Sequence, residues 1–297
     1  MPTPGQDGWL EVALAHRPTH EWMVLDSTQI AYRSWGDIDA PLVVLVHGGG
    51  AHSGWWDHVA PFLARESPVV GLDLSGHGDS DHRRTYSIDA WAREVLALCE
   101  LRSRGPVVLV GHSMGGHVVL RAAVEALASG RQQVGVVTID SPAAAINGRP
   151  APHLTRATTG VPRGSASAAE LRRRFTPQPD DGDYVEAIVD HVAAASMLTR
   201  DGRWFWKLDR TMFQHERVDW DRFAFPRCPT AVILPERGLL TPTFEALRPR
   251  LAPGTRVMRI AGAGHHAMLD QPVELIKALE MLVRFVRDRV SETAVAR

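Results

Sequence analysis

Near-continuous aliphatic runs recur along the first half of the chain and again near its end. Such runs are typical of strands that are buried on both faces of a parallel sheet. Segments with a helical spacing of apolar residues separate several of them. The runs are Leu42–Val46, Val69–Leu72, Val107–Val110, Val134–Ile139 and Ala231–Leu234, and the helical segments are Trp56–Ala64, Ile88–Leu101 and Val118–Ser129. This alternation predicts an α/β architecture with right-handed crossovers.

The pattern also predicts how this sheet begins and ends. Glu21–Ser27 and Gln29–Trp35 are strand-like runs with almost nothing between them, which favours an antiparallel hairpin at one edge. Arg256–Ala261 adds a last strand. Proline is tolerated in the first turn of a helix, so we expect the final helix to span Pro272–Val290. The residues from Ser291 onward are expected to fray.

The strand pattern stops after Asp140. Residues 141–226 contain no comparable aliphatic run and are richer in alanine, arginine, proline and aromatic residues. Ser167 and Glu170 form a capping box that starts a short helix, and Tyr184–Leu198 has the composition of a longer one. We therefore predict a core made of residues 1–140 and 227–297, interrupted by a helical insertion at residues 141–226.

The charge balance argues against partners that a strong net field would attract. Lysine and arginine number 33 against 34 aspartate and glutamate residues, so the formal net charge is only −1. We therefore expect neither nucleic acid nor an anionic membrane as a partner, and instead a small-molecule substrate. The sequence does not predict an oligomeric state.

Hydropathy and cysteine content indicate a cytoplasmic protein. The first residues lack the basic and apolar regions of a secretion signal, and no run of about 18 apolar residues occurs. Cys99 and Cys228 lie far apart and without metal-ligand spacing, so a disulfide framework is not expected.

One glycine-rich motif has a context that gives it chemical meaning. Gly111–Gly116 reads Gly-His-Ser-Met-Gly-Gly, follows the run Pro106–Val110 and precedes the helical segment from Val118. A strand that enters a tight turn and then a helix is the setting of a nucleophile elbow. We expect Ser113 to adopt strained backbone angles with its hydroxyl exposed at the helix N-terminus, where partial positive charge favours developing negative charge. Ser113 is therefore a candidate nucleophile.

A second glycine-rich stretch, His47–Gly50, follows the strand Leu42–Val46. Its glycines allow backbone N–H groups to face a cavity, so the N–H groups of Gly49 and Met114 are a candidate oxyanion hole. The alternative is a plain glycine-rich turn. Asp73–Ser80 after the next strand is interpreted as a structural turn that braces the sheet edge. A zinc site is not expected there, because metal-ligand pairs such as His-x-His are absent.

A candidate base follows the last predicted strand, in the stretch Gly262–His266. A catalytic histidine must reach the serine hydroxyl, and a loop at the carboxyl end of a neighbouring strand delivers it there. We predict His265 as this base and His266 as a wall or packed residue. Without the elbow, adjacent histidines in a loop are more often surface residues.

These motifs resemble those of the α/β-hydrolase superfamily. The matching residues are His47-Gly48-Gly49, Asp73–Ser80, Gly111–Gly116 and Gly264-His265. The resemblance implies a mostly parallel central sheet flanked by helices, with a helical cap inserted after the sixth strand. It also implies the chain order serine, acid, histidine. Relatives that act as haloalkane dehalogenases or epoxide hydrolases carry an aspartate where this chain has Ser113, so those reactions are not expected.

The chain departs from the family at the acid. In many relatives an aspartate lies a few residues after the seventh strand, where this chain has Gly238. Asp140 directly after the sixth strand is our first candidate, because a carboxylate at the end of a buried run needs a partner. Glu236 directly after the seventh strand is the alternative, although it also fits a solvated surface charge. A chain without a working acid is the third possibility.

Aromatic residues are the candidate substrate contacts. Trp204 and Trp206 cannot share one helix face at a spacing of i and i+2, so we expect at least one of them to point away from the cap core and toward the pocket. Trp55 and Trp56 divide similarly, one packing and the other, Trp55, lining the site. An apolar substrate is therefore favoured.

Together these residues predict a serine hydrolase that cleaves a carboxylic ester or related acyl bond without a cofactor or metal. One alternative uses His265 and Asp140 as a base that abstracts a substrate proton, as in cofactor-free dioxygenases and carbon–carbon bond hydrolases of this fold. Another is a non-catalytic receptor for a small ligand. Fold alone does not identify the substrate.

Overall fold

The computed structural model describes residues 2–37, 40–103, 105–141, 164–214 and 223–295, with side chains through Glu292. Of the predicted insertion, residues 142–163 and 215–222 therefore lie outside the described residues. The insertion's outer boundaries stay predictions. All the predicted site residues are described.

Ten strands are described along the chain. They are β1 (Thr19–Leu25), β2 (Thr28–Trp35), β3 (Leu42–Val46), β4 (Val69–Leu72), β5 (Val107–His112), β6 (Val134–Ile139), β7 (Met197–Arg200), β8 (Arg203–Trp206), β9 (Thr230–Pro235) and β10 (Arg256–Ile260). An eight-stranded sheet has the order β1-β2-β4-β3-β5-β6-β9-β10, and β7 and β8 form a separate hairpin.

The eight-stranded sheet is mostly parallel. Within the sheet order β4-β3-β5-β6-β9-β10, all neighbouring strands pair in parallel, whereas β1–β2 and β2–β4 are antiparallel. The edge hairpin turns at Asp26 and Ser27, both with positive φ, as a two-residue turn between twisted strands requires. The predicted antiparallel hairpin at one edge and the predicted parallel centre are confirmed.

Helices cover both faces of this sheet. The described helices of the chain, including those of the insertion, are α1 (Trp9–Ala15), α2 (Ala60–Leu63), α3 (Ile88–Arg102), α4 (Met114–Ala128), α5 (Ala168–Arg172), α6 (Glu186–Ala195), α7 (Phe244–Leu247), α8 (Ala267–Asp270) and α9 (Pro272–Val295). None of these described helices has the length and hydropathy required to span a bilayer.

Successive residues of the central strands enter different cores. Val44 and Val46 of β3 pack in the core on the side of α3 and α4, whereas Val43 and Leu45 pack in the core that contains α9. Side chains alternate across a strand, so a run buried on both faces must be apolar at every position. This double burial explains why the aliphatic runs located the strands.

Two helix predictions need correction. The segment Trp56–Ala64 is not one helix but a 3-10 turn at Ser53–Trp56 followed by the short α2. Pro61 lies in the first turn of α2 and has no N–H to donate to the carbonyl of residue 57, as a helix continuous from Trp56 would require. The final helix runs to Val295 rather than ending near Val290, because no glycine or proline interrupts it.

The described part of the insertion is not purely helical. Ser167 caps α5 by accepting from the N–H of Glu170, and α6 lies within the predicted segment Tyr184–Leu198. The chain then forms the β7–β8 hairpin around Asp201 and Gly202, both with positive φ. Asp-Gly is a preferred pair for such a turn, and here it decides the local structure.

This hairpin overturns the argument about Trp204 and Trp206. Both lie on β8, and residues at i and i+2 of a strand share one face. The premise of that argument, a helix, is wrong, whereas the expectation that at least one of the two tryptophans faces the pocket stays a prediction.

Candidate active site

Ser113 lies at the sharp turn between β5 and α4. Its angles are φ 53° and ψ −119°, a strained region for a residue with a side chain. A Cβ atom on Gly111 would collide with the carbonyl of Gly115 and lie 2.7 Å from the Cα of Gly116. A Cβ atom on Gly115 would lie 2.5 Å from the carbonyl oxygen of Val46. Only glycine fits these two positions, and their packing fixes the turn that presents Ser113.

Ser113, His265 and Asp140 are brought together by loops that follow β5, β10 and β6. Ser113 Oγ lies 3.0 Å from His265 Nε2, and His265 Nδ1 lies 2.5 Å from Asp140 Oδ2. The side chains of His265 and Asp140 are buried. Their catalytic roles remain a prediction, but their order in space is that of a nucleophile, a base and a carboxylate that orients the base.

Asp140 is held by the loop that follows β9. Its carboxylate accepts hydrogen bonds at 2.8 Å from the N–H groups of both Leu239 and Leu240. These donors, together with His265, compensate a fully buried charge. Asp140 itself has a φ of 41°, which aspartate tolerates better than most residues.

Glu236, the alternative acid, lies elsewhere. It is exposed, and its carboxylate accepts from the N–H of Gly262 at 2.7 Å. This bond ties the loop after β9 to the loop after β10. The geometry thus favours Asp140 as the partner of His265.

The loop that carries His265 is also fixed through its backbone. The N–H of His265 donates to Asp181 Oδ2 at 3.1 Å, and the N–H of Gly264 donates to Asp270 Oδ2 at 2.6 Å. His112 Nε2 lies 2.9 Å from the carbonyl oxygen of His265. Sequence reasoning missed all three contacts. His112 had a signal, since it lies inside the elbow motif, whereas Asp181 and Asp270 had none.

The predicted oxyanion donors border Ser113. A Cβ atom on Gly48 would lie 3.2 Å from Ser113 Cβ, and one on Gly49 would lie 3.5 Å from Met114 Sδ. Met114 is the first residue of α4, where N–H groups lack partners inside the helix. Both backbone segments therefore lie where a negative oxygen bonded to Ser113 could be stabilised.

His47 anchors the loop that contains Gly48 and Gly49. Its Nδ1 lies 2.8 Å from the carbonyl oxygen of Gly48, and its Nε2 accepts from the N–H of Leu74 at 3.1 Å. A ring that donates through Nδ1 and accepts through Nε2 is neutral. Burial lowers the pKa of His47, which is consistent with that state.

The turn Asp73–Ser80 has the structural role predicted for it. Asp73 accepts from the N–H groups of Ser53 and Asp79 at 2.7 and 2.8 Å, and Ser80 Oγ donates to the Asp73 carbonyl at 2.6 Å. These bonds join the turn to Ser53, which follows the stretch His47–Gly50, here termed the oxyanion loop after its predicted role.

An aromatic row links the predicted substrate contact Trp55 to the insertion. The Trp55 ring centroid lies 5.4 Å from that of His266 and 6.3 Å from that of Phe175. Phe175 lies 5.5 Å from Trp206, so Trp206 belongs to the same row. Trp204 instead exchanges backbone hydrogen bonds with Ser165. Phe175 was not predicted.

Two further apolar residues of the insertion lie above the oxyanion loop. A Cβ atom on Gly49 would lie 3.9 Å from the terminal methyl of Met212, and one on Gly50 would lie 3.4 Å from the ring of Phe213. The insertion therefore approaches the site from the side of the oxyanion loop as well as from the side of the aromatic row.

Three imidazoles, those of His112, His265 and His266, have possible ligand atoms within 4.8 Å of one another. Burial and the neighbouring imidazoles hold the pKa of His112 well below its usual range. Burial, followed by the charge of His265, lowers the pKa of His266 to about 3. Both rings are therefore neutral near pH 7. A metal bound here would compete with Ser113 or Asp140 for the nitrogens of His265, so the arrangement fits proton transfer better than a metal site.

Comparisons with known proteins agree with this architecture. Lipase LipV of Mycobacterium tuberculosis is 28% identical over 229 residues, which cover 76% of this chain and 80% of that protein. The sn-1-specific diacylglycerol lipase ABHD11 of Xenopus tropicalis is 25% identical over 271 residues, which cover 88% and 83%. The crystal structure of E-2-(acetamidomethylene)succinate hydrolase aligns with a TM-score of 0.76 at 20% identity, covering 90% of this chain and 99% of that one.

Residues 43–278 match the model of the alpha/beta hydrolase family. The match begins inside β3, runs through β10 and extends into α9, so it contains the strands and loops that carry Ser113, Asp140 and His265. The chain belongs to the alpha/beta hydrolase family and is an enzyme of that family.

Proposed function

We propose that this hydrolase cleaves a carboxylic ester, or a related acyl bond, of a small and mainly apolar substrate through an acyl-enzyme formed on Ser113. The contacts that join Ser113 Oγ to His265 Nε2 (3.0 Å) and His265 Nδ1 to Asp140 Oδ2 (2.5 Å) carry the proposal. A carboxylate that holds the proton on Nδ1 leaves the lone pair of Nε2 directed at the serine hydroxyl.

In the first half of the reaction, Ser113 Oγ attacks the carbonyl carbon while its proton moves to His265 Nε2. The resulting imidazolium is stabilised by the Asp140 carboxylate. The C–O bond to the leaving alcohol then breaks, and His265 returns the proton to that oxygen. Ser113 is left as an ester of the acyl group.

In the second half, water attacks the acyl-enzyme and gives a proton to His265 Nε2. The tetrahedral intermediate releases the carboxylic acid, and His265 returns the proton to Ser113 Oγ. In both halves the N–H groups of Gly49 and Met114 stabilise the negative oxygen. Removing one such donor typically lowers turnover by about 10²–10³-fold.

The surroundings of Ser113 support an apolar acyl group. Trp55, Phe175 and Trp206 form the aromatic row, and Met212 and Phe213 lie against Gly49 and Gly50 of the oxyanion loop. Apolar walls with a few polar groups at the reacting atoms are typical of small-molecule sites. LipV and ABHD11 are named as lipases, which agrees with an acyl ester as the substrate.

Proton abstraction from substrate by His265, the alternative chemistry, is less favoured by this arrangement. The base that would take a substrate proton already faces the Ser113 hydroxyl at 3.0 Å. A receptor, the other alternative, has no use for a nucleophile, base and acid in contact. We retain the expectations that the protein is cytoplasmic and uses no cofactor as parts of this proposal.

The test combines turnover with covalent labelling. We expect the wild-type enzyme to hydrolyse p-nitrophenyl esters and to gain one fluorophosphonate adduct on Ser113, seen by intact mass and peptide mapping. Ser113→Ala should fold normally, lose labelling and lose turnover on the order of a million-fold. Turnover by Ser113→Ala above about one per cent of wild type would reject the acyl-enzyme and favour base chemistry.

A further inference from the structure

The backbone of His265 is held through both its N–H and its carbonyl group. Its N–H donates to Asp181 Oδ2 at 3.1 Å, and its carbonyl oxygen lies 2.9 Å from His112 Nε2. A carbonyl oxygen only accepts, so His112 carries its proton on Nε2 and is the donor. The position of the His265 ring thus depends on the side chains of Asp181 and His112. None of the described hydrogen bonds joins either of them to the Ser113 hydroxyl.

Asp181 comes from the insertion rather than from the core. Its own segment is ordered by Tyr184, whose hydroxyl lies 3.3 Å from the N–H of Asp181 and donates to the carbonyl of Pro179 at 2.9 Å. The N–H of Val185 donates to the carbonyl of Leu269 at 2.8 Å. Residues 179–185, which we term the docking segment, therefore bind both the loop that carries His265 and α8, which follows that loop.

Glycines allow this close approach. A Cβ atom on Gly264 would lie 2.6 Å from Asp181 Oδ1, and one on Gly182 would lie 2.7 Å from Asp270 Oδ2. Both separations are too short for real Cβ contacts. The docking segment and the catalytic loop are thus fitted to each other at the residue directly before His265.

We propose that Asp181 is a positioning residue that sets the orientation of His265 relative to Ser113 and Asp140. The inference rests on the proposed role of His265 as the base. Without the Asp181 carboxylate, the His265 N–H loses its acceptor in a largely buried place, and the loop can shift to find another. A displacement of about 1 Å between reacting groups can lower turnover by about 100-fold.

The experiment compares Asp181→Ala with Asp181→Asn on a p-nitrophenyl ester, with Asp183→Ala as the matched control. Asp183 lies in the same segment and is exposed, so its variant removes the same charge without removing the acceptor. We expect Asp181→Ala to lower kcat by about 10- to 100-fold with KM changed less than about threefold. Asp181→Asn keeps an acceptor oxygen and should restore kcat to within about threefold of wild type, as should Asp183→Ala.

Melting curves and active-site titration with a fluorophosphonate separate positioning from unfolding. The inference is overturned if folded Asp181→Ala keeps its kcat, if only KM changes, or if Asp181→Asn is as slow as Asp181→Ala. If Asp181→Ala does not fold, the kcat of Asp181→Asn alone decides. This variant has lost the charge and kept the acceptor oxygen, so a low kcat would show that the charge is what matters and would overturn the inference. Ser113→Ala and His265→Ala, assayed in parallel, identify a failure of the proposed function: both would then keep turnover.

Discussion

The Asp140 carboxylate fills the space that a side chain at position 238 would occupy. A Cβ atom on Gly238 would lie 2.5 Å from Asp140 Oδ1 and 2.7 Å from its Cγ. Position 238 is also where the resemblance to other α/β hydrolases places the acid. Glycine at position 238 therefore leaves room for the carboxylate that follows β6. The loop after β9 supplies N–H donors to that carboxylate and does not supply the acid itself.

We predict that Gly238→Ala lowers ester turnover by at least tenfold, because the added methyl displaces the carboxylate that orients His265. The measurement is kcat for a p-nitrophenyl ester. Gly105→Ala is the control, since a Cβ atom there would only reach Ser103 Oγ at 3.9 Å. Equal turnover in the two variants would show that the Asp140 carboxylate tolerates displacement.

Asp140→Asn should lower turnover by about ten-thousand-fold, whereas Glu236→Gln should change it less than about threefold. The amide keeps the shape of the Asp140 side chain but removes the charge that stabilises the imidazolium. The amide also favours the wrong tautomer of His265. Glu236 is exposed and bonded to Gly262, so its charge has little effect at the site. If Glu236→Gln lowered turnover far more than Asp140→Asn, the acid would be Glu236. If neither variant changed turnover, the receptor alternative would be favoured.

Trp206→Ala is expected to shift the preference among p-nitrophenyl esters toward longer acyl chains. Trp206 continues the row from Trp55 through Phe175, so its removal extends the apolar space next to the site. Trp204→Ala serves as the comparison, because Trp204 is bound through its backbone to Ser165, and a side-chain change leaves that bond in place. If both variants alter only the melting temperature, these tryptophans are packing residues of the insertion.

The free energy of unfolding should fall as the pH drops from 7 to 5, partly through His52. His52 Nδ1 accepts from the N–H of Gly54 at 3.1 Å, so Nε2 carries the proton toward Ser196 Oγ at 2.8 Å. Burial lowers the pKa of His52 to about 4 in the folded protein. Because the unfolded chain takes up a proton near pH 6.5, this contribution is present above that pH and is lost as the pH falls toward 4.

At pH 5 the lost contribution of His52 is about 2 kcal/mol. Urea unfolding of His52→Gln should therefore show a smaller drop between pH 7 and 5 than the wild type. His16→Gln, a change at an exposed histidine, should leave the drop unchanged. His58, with a pKa lowered to about 4 by burial, adds to the wild-type drop in the same direction. An unchanged drop in His52→Gln would mean that His52 protonates without unfolding.

The sequence was most informative where one local pattern determines one structure. Leu42–Val46, Val69–Leu72 and Val134–Ile139 agree with β3, β4 and β6 residue for residue, because double burial leaves little choice of side chain. The elbow and the loop of His265 were similarly located by short motifs. Their catalytic roles stay predictions.

What the sequence did not reveal depends on contacts between distant segments or on turn chemistry. Asp181 meets the N–H of His265 across 84 positions, and a carboxylate in a polar loop has no pattern that names its partner. The composition of residues 141–226 predicts a helical region, whereas the turn at Asp201-Gly202 forms the β7–β8 hairpin. The helix premise for Trp204 and Trp206 fails for that reason.

The bond between Asp181 and the His265 N–H also makes one amide proton a reporter. The amides of β3, β5 and β6 lie in the sheet centre, and such amides exchange with solvent only through the largest opening reactions. The amide of His265 is protected instead by a carboxylate from the insertion. Its hydrogen-exchange rate therefore measures how often the docking segment detaches while the sheet, and with it Ser113 and Asp140, stays folded. A ligand that holds the insertion in place would slow that single exchange before it changed the melting temperature.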